Sequence, residues 1–168
     1  MRVRWSGCTL LVAALAACQS AAVDADPMGW TVGTWRGTRR AADGSSAEPM
    51  KLRVEPLPSG AGQIECLRVE GASGPYVGFA VRMPDPDTGR WTMVYANSAQ
   101  RAFARLVADR AEALDSWTST TAAPGHGSRL TFERIDDDHW RRTQQVSEDA
   151  GRTWTVLFTD ELERDAGH

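Results

Sequence analysis

From residue 29 onward, apolar and polar residues alternate in short runs separated by glycine, proline and aspartate turns, with a spacing of roughly ten residues. Alternation with a period of two is typical of strands, and no long stretch shows the period of an amphipathic helix. The pattern predicts strands at 29–39, 50–57, 63–70, 76–83, 90–96, 101–108, 112–118, 128–135, 139–147 and 153–163.

Three of these runs place apolar residues on one face, which we expect to point into the core. The faces are Val77, Phe79, Val81 and Met83; Trp91, Met93 and Tyr95; and Trp154, Val156 and Phe158. The run at 63–70 breaks the alternation, because Ile64, Cys66, Leu67 and Val69 are all apolar. This break predicts a bulge, or a strand that is covered on both sides.

The turns are short and rich in residues that accept turn dihedrals, as in DGSS, PSGAG, PDPDTG and EDAGR. Short turns make consecutive strands antiparallel neighbours. About ten strands form too large a sheet to leave both edges bare, so closure is favoured. The sequence therefore predicts an all-β fold, an antiparallel up-and-down β-barrel of about 8–10 strands, with a tight two-sheet sandwich as the alternative.

The first residues, MRVRWSGCTLLVAALAAC, have a different character. Arg2 and Arg4 precede an apolar run at 9–17 that is too short to span a bilayer, which is the pattern of a secretion signal. Its end, Leu15-Ala16-Ala17-Cys18, resembles the bacterial lipobox. The resemblance implies cleavage before Cys18 and lipidation of that cysteine. A buried apolar helix with a chance cysteine is the alternative.

The chain thus divides into a signal peptide at 1–17, a lipidated cysteine with a flexible tether at 18–28, and one barrel domain at 29–165. The tether is small and polar and contains a proline. Gln19, rather than aspartate, follows Cys18, and by resemblance to Gram-negative lipoproteins this implies anchoring in the outer membrane, facing the periplasm. Several acyl chains on one cysteine give stable anchoring, and we expect the membrane to be a partner through the lipidated Cys18.

Charge and cysteine content narrow the function further. Cleavage leaves 151 of the 168 residues, with 17 basic against 22 acidic side chains, a net charge of −5. This acidity argues against a nucleic-acid partner. Cys66 is then the one unmodified cysteine, so no internal disulfide can form, and its apolar neighbours predict a buried thiol.

The first strand contains Gly33-Thr34-Trp35-Arg36-Gly37. This motif resembles the first-strand motif of lipocalins and their calycin relatives, among them nitrobindin-like and uncharacterised bacterial lipocalin-like barrels. The resemblance implies that Trp35 plugs one end of the barrel, that Gly33 and Gly37 leave room for its ring, and that Arg164 packs over the ring as a cation–π partner. An ordinary core aromatic is the alternative for Trp35.

Residues 147–154, SEDAGRTW, fit the Asp-box of sialidase-like propellers, Ser-x-Asp-x-Gly-x-Thr-Trp. In such a turn the aspartate accepts hydrogen bonds from turn amides, and the glycine adopts a left-handed conformation. The box occurs once, and the mature chain is short for a propeller. We therefore expect a hairpin clasp and not a glycosidase. The clasp residues are Ser147, Asp149, Gly151 and Trp154.

Small barrels either fill with side chains or hold one small ligand. Six tryptophans remain in the mature chain, and aromatic side chains with a few buried polar groups are typical of ligand pockets. Three arginines interrupt apolar alternation; they either face water or neutralise an anionic headgroup such as a fatty-acid carboxylate. The ligand-binding candidates are Trp91, Tyr95, Trp117, Trp140, Arg68, Arg82 and Arg142.

Catalytic and metal motifs are weak. The run Asp136–His139 has ligand types that suit divalent cations, but it lies between two predicted strands, where consecutive acids mark a solvated turn. No Gly-x-Ser-x-Gly elbow is present. Haem binding, by analogy with nitrobindin-like barrels, needs an inward histidine on a C-terminal strand, and neither His139 nor His168 is clearly so placed. We expect no metal site, catalytic residue or cofactor, with haem as the alternative.

Three functions follow from these features. The favoured one is a membrane-anchored lipocalin-like barrel that binds a small hydrophobic or amphipathic ligand. The second is a structural or adaptor lipoprotein, whose barrel would be filled and whose protein partner would cover an exposed apolar patch. The third, less favoured, is a haem-binding or hydrolytic enzyme, which would need an inward histidine or clustered carboxylates in a pocket.

Overall fold

A computed structural model describes residues 26–58, 60–72, 74–88, 90–98, 103–108, 116–119 and 125–167. In this part of the chain, ten antiparallel strands form a closed barrel in which each strand pairs with its sequence neighbours and β1 pairs with β10. The strands are β1 (Gly33–Ala41), β2 (Ala47–Pro56), β3 (Gln63–Gly71), β4 (Gly74–Pro84), β5 (Trp91–Asn97), β6 (Phe103–Ala108), β7 (Ser116–Ser119), β8 (Gly127–Arg134), β9 (His139–Ser147) and β10 (Thr155–Arg164). The predicted up-and-down barrel is confirmed.

The first strand begins later than predicted. A short 3-10 helix, Gly29–Thr31, precedes it, held by a hydrogen bond from the Thr31 amide to the Met28 carbonyl at 2.8 Å. Gly33 then takes a φ of 141°, a conformation that side-chain-bearing residues rarely adopt, and β1 extends from there. The predicted signal peptide and Cys18 lie outside the described residues.

The barrel has two different ends. At the closed end, β1 begins near Trp35, and the Met28 carbonyl accepts a hydrogen bond from Gln63 Nε2 at the start of β3. Arg164, at the end of β10, bonds the β8–β9 turn there through Asp138. Both ends of the described chain therefore lie at the closed end. Among the described residues, no helix has the length and apolar character needed to cross a membrane.

Aromatic side chains fill the closed end. The ring of Trp140 meets the rings of Trp30 and Trp35 edge-on, with centroids 5.8 Å apart in each pair, and it stacks on Phe132 at the same distance. Trp35 and Trp140 are almost fully buried. Aromatic side chains bury about 150–250 Å² each, so this cluster supplies a large part of the apolar burial at this end.

The expected inward face of β4 points outward, so that prediction was wrong. Val77, Phe79 and Met83 are 50%, 42% and 44% exposed. One inward position of β4 has no room for a side chain, since a Cβ added at Gly78 would lie 2.9 Å from the Tyr95 hydroxyl. The barrel therefore has more apolar surface on its outside at β4 than alternation alone suggested.

The predicted irregularity of β3 was also wrong. Pairing with β2 and β4 runs through β3 without a register shift. The thiol of Cys66 is exposed, contrary to the expected burial, and lies opposite Phe79. The bulge occurs instead in β10, between Val156 and Phe158. We call the outward residues Cys66, Val77, Phe79, Met83 and Val94 of β3–β5 the outer apolar face.

Candidate ligand-binding cavity

The open half of the barrel encloses a cavity of about 480 Å³. Its wall is mostly apolar and includes Leu67, Ala80, Met93, Leu106, Leu130 and Phe158. Polar side chains, among them Asn97, Ser128 and Gln144, also line it. Small-molecule sites are typically about 300–1,000 Å³ and mostly apolar with a few placed polar groups, so the cavity has the size and lining of such a site.

One carboxylate at the base of this cavity holds two guanidinium groups. Arg39, Asp160 and Arg142 lie in direct register on β1, β10 and β9. Arg39 Nε and Nη2 donate to Asp160 at 2.7 and 2.8 Å, and Arg142 Nε and Nη2 donate to it at 2.9 and 2.7 Å. Burial by itself raises the pKa of Asp160, but the charges of Arg142 and Arg39 outweigh it and hold this pKa below its ordinary value.

Arg142 also crosses the interior to form an ion pair with Glu65 on β3. The second oxygen of Glu65 lies 3.7 Å from Arg82 Nη2, and all three side chains are buried. Burial by itself lowers the pKa of Arg142, but Glu65 and Asp160 raise it above its ordinary value, so Arg142 stays charged. We call Arg39, Asp160, Arg142 and Glu65 the charged layer.

Arg39 is the member of the charged layer with a free donor edge. Its guanidinium carbon lies 3.8 Å from the ring centroid of Phe158 and 5.4 Å from that of Tyr76, and all three side chains line the cavity. Asp160 occupies Nε and Nη2, and within the described residues Nη1 has no hydrogen-bond partner. Nη1 can therefore donate to an acceptor group of a bound molecule.

Below the charged layer, Trp35 and Arg164 close the barrel. The Arg164 guanidinium carbon lies 4.2 Å from the Trp35 ring centroid, and Trp35 Nε1 donates to the Thr31 carbonyl at 2.7 Å. A Cβ at Gly33 would lie 2.6 Å from Arg164 Nη1, and one at Gly37 would lie 2.0 Å from the Glu161 carbonyl oxygen. Gly33 therefore leaves room for Arg164 over the ring, as expected, whereas Gly37 leaves room for the backbone of β10 and not for the ring.

The Asp-box sequence forms the β9–β10 turn at the open end. Asp149 accepts hydrogen bonds from the Thr153 amide at 2.8 Å, the Thr153 hydroxyl at 2.7 Å and the Ser147 hydroxyl at 2.8 Å. These bonds, the Thr153 amide first, lower the pKa of Asp149 to about 2. Gly151 has a φ of 86°, and Trp154 follows at the end of the turn.

The seven predicted ligand-binding residues lie in three places. Tyr95 and Arg142 line the cavity. Four others are buried outside its lining: Trp91, Trp117, Trp140 and Arg82. The side chain of Arg68 is 54% exposed on the outer surface, where its Nε lies 2.6 Å from Glu70. The cavity thus brings together only two of the seven.

Sequence reasoning missed three members of the charged layer, although a signal was present. Arg39 has the same strand parity as Trp35, and Asp160 has the same parity as Leu162. Glu65 has the parity of the buried Leu67. A charged residue at an inward parity is therefore the signal that finds such a layer, because successive side chains of a strand point to opposite faces.

In the part of the chain that the structure describes, no group of three histidine, cysteine or acidic residues could hold a metal ion. The Asp136–His139 turn lies at the closed end, away from the cavity. The Asp138 amide and the His139 ring bond Asp136 and lower its pKa, the amide contributing most. The described cavity lining contains no histidine, so the haem alternative finds no imidazole ligand there.

No protein-family model and no curated protein matches the chain. Among solved structures, it is similar to a de novo designed fluorescence-activating β-barrel, at 12% identity over 83% of this chain and 98% of that one, with a TM-score of 0.47. It is also similar to the S-type phycobiliprotein lyase CPES from Guillardia theta, at 11% identity over 83% of this chain and 90% of that one, with a TM-score of 0.49. These similarities concern the fold alone.

Proposed function

We propose that this chain is a lipid-anchored barrel of the bacterial envelope that binds a small hydrophobic or amphipathic molecule. The observation that carries the proposal is the apolar cavity of about 480 Å³ whose base is the charged layer. An apolar molecule entering the cavity leaves water, which is favourable by roughly 25 cal/mol for each Å² of buried apolar surface. A polar group at its inner end would meet the free Nη1 of Arg39.

The anchoring part of the proposal is supported by the sequence that ends in Leu15-Ala16-Ala17-Cys18. The outer membrane, facing the periplasm, is the proposed location because Gln19 follows the cysteine. The direct test of lipidation at Cys18 is metabolic labelling with an alkyne fatty acid. We expect the label in the wild-type protein and its loss in Cys18→Ser, whereas a labelled Cys18→Ser protein would contradict the assignment.

The cavity also separates this proposal from its alternatives. A structural lipoprotein with a filled barrel would leave no space of this size. A hydrolase would need a carboxylic acid or a base free to exchange protons, but Asp160 and Glu65 are both engaged by Arg142. The lowered pKa of Asp160 keeps it ionised at neutral pH, so it cannot serve as a general acid there.

The test of the binding function is native mass spectrometry, with an absorbance scan, on the chain from Gln19 onward after gentle purification. This piece contains all ten described strands and the β1–β10 pairing that closes them. We expect a retained mass of lipid size. A clean apo mass that stays unchanged after incubation with fatty acids, phospholipid and haem would contradict the proposal, and a Soret band would favour the haem alternative.

A further inference from the structure

Exposed apolar side chains concentrate on one side of the barrel. In the described residues, four of the six exposed large apolar side chains lie on the neighbouring strands β4 and β5, at Val77, Phe79, Met83 and Val94. Cys66 on β3 is exposed beside them. Scattered apolar residues are normal on protein surfaces, whereas the largest contiguous group on a protein is often functional.

A row of basic side chains borders this outer apolar face. Arg36, Lys51 and Arg68 are exposed and lie in direct register on β1, β2 and β3. Val77 continues the same row on β4. Like charges directly opposite each other destabilise a sheet, so the fold itself gains nothing from this arrangement. We call these three residues the basic row.

The basic row keeps a positive character despite its neighbours. Arg36 pairs with Glu163 at 2.7 Å and Arg68 with Glu70 at 2.6 Å, and these side chains are about half exposed. Exposed pairs of this kind are weak, and they exchange readily with other partners. None of the described residues forms an ion pair with Lys51. An anionic group can therefore approach the row.

The size of the outer apolar face points to an occupant that is already held nearby. Three strands at about 4.8 Å and six residue steps at about 3.3 Å give a patch of about 300 Å². A stable protein–protein interface buries about 800 Å² on each partner. A patch of this size binds well only when its occupant is present at a high effective concentration.

The bilayer meets that condition if Cys18 is anchored in it. Eight residue steps separate Cys18 from Asp26, the first described residue, and a fully extended chain of this length spans at most about 29 Å. The chain enters the barrel at its closed end, near Gln63 and Arg82. Met83 of the outer apolar face is the next residue after Arg82 on β4.

We propose that the outer apolar face and the basic row form a surface that lies against the anchoring bilayer. The apolar side chains would lie at the boundary between headgroups and acyl chains, and the basic row would contact lipid phosphates. The proposal rests on the lipid anchor of the proposed function. Protein surfaces of this composition bind membranes through buried apolar area and attraction to anionic lipids together.

Cys66 provides a native probe of this surface. The full-length protein is produced in a bacterium that processes lipoproteins, and reconstituted in vesicles of phosphatidylethanolamine and phosphatidylglycerol. The thiol of Cys66 is then labelled with an environment-sensitive fluorophore. We expect a blue-shifted emission, and quenching by lipids that carry a nitroxide near the headgroup at least about twofold stronger than at a control position.

The matched control is Cys66→Ser combined with Glu133→Cys. Glu133 is exposed on β8, five strands away in a ten-stranded barrel and thus on the opposite side. Its label should keep the emission of a water-exposed fluorophore. Phe79→Ser and Lys51→Glu, each with the Cys66 label, should both reduce the quenching.

The outcomes separate the two proposals. Equal quenching at Cys66 and at the control position would overturn this one while leaving the anchor intact. Shielding of the Cys66 label by a co-purified protein, without vesicles, would also overturn it and would assign the face to a protein partner. A mass spectrum that shows unlipidated Cys18 would contradict the anchoring itself, and this inference would fall with it.

Discussion

Arg142 on β9 and Glu65 on β3 form an ion pair through the interior of the barrel. In the strand order of the barrel these two strands are separated by β10, β1 and β2, so the pair connects parts of the wall that have no backbone hydrogen bonds between them. Together with Asp160 and Arg39, this pair sets the lower limit of the cavity. The interior is thus divided into an aromatic closed end and an open half with space for a ligand.

Glu65→Gln should destabilise the protein strongly. The change removes the negative charge that faces Arg142 and Arg82, and breaking a buried ion pair from one side costs about 3–5 kcal/mol. Urea unfolding of the variant measures this loss. Glu70→Gln is the matched control, because Glu70 makes its arginine pair on the exposed surface, where the effect should stay below about 1 kcal/mol. Equal losses in both variants would contradict the structural role of the charged layer.

Arg39→Met should weaken binding of laurate more than binding of 1-dodecanol. The variant keeps an apolar wall but removes the free Nη1, and hydrogen bonds to a charged group contribute about 1.5–3 kcal/mol, which corresponds to at least about tenfold in affinity for the carboxylate. Isothermal titration calorimetry with each ligand measures the difference. Arg68→Met, on the outer surface, should leave both affinities unchanged. If Arg39→Met also leaves laurate affinity unchanged, Arg39 does not contact the bound headgroup.

Gly37→Ala should destabilise the β1–β10 pairing. The added Cβ would lie 2.0 Å from the Glu161 carbonyl oxygen, so the backbone of one strand must shift. We expect a lower thermal midpoint and faster amide exchange in β1 and β10. Gly29→Ala serves as the control, because nothing lies within 4 Å of a Cβ there. A wild-type midpoint for Gly37→Ala would show that the two strands are less tightly paired than the geometry indicates.

The β9–β10 turn should lose order only in strong acid. The pKa of Asp149 falls from 3.8 in the unfolded chain to about 2 in the folded protein. The ionised carboxylate therefore stabilises the turn above about pH 4, and this stabilisation is lost as the pH falls from about 4 to about 2. The amide shift of Thr153, followed by NMR across this range, reports the change. In Asp149→Asn the shift should no longer titrate. A change of the Thr153 amide shift near neutral pH would contradict this prediction, because it would have to come from a titratable group other than Asp149.

The strand count could be predicted from the sequence because most turns are local and contain glycine, proline or aspartate. The side of the sheet that each residue occupies could not be predicted from apolarity, and β4 shows why. Phe79 is apolar but faces outward, because the interior at Gly78 is already occupied by the Tyr95 ring. That constraint comes from a neighbouring strand, and no single run of sequence contains it.

The binding residues were harder to predict for a related reason. Arg142 was a candidate because it interrupts an apolar run, and it does line the cavity. Arg39 was not a candidate, since it lies in the polar sequence WRGTRR, where its neighbour Arg40 has the opposite parity and is exposed. The parity that Arg39 shares with Trp35 was the available signal, whereas its partner Asp160 becomes known only when the first and last strands pair.

The pairing of β1 with β10 also determines when this molecule can finish folding. Arg164 donates a hydrogen bond to the carbonyl of Val32, 132 positions earlier in the chain. Contacts between distant positions form slowly, because a long loop must close, at a cost in chain entropy, before these contacts can stabilise the fold. Until β10 is in place, β1 and β9 each keep an open edge that can pair with another molecule. The nascent chain is therefore open to aggregation until its last strand is made.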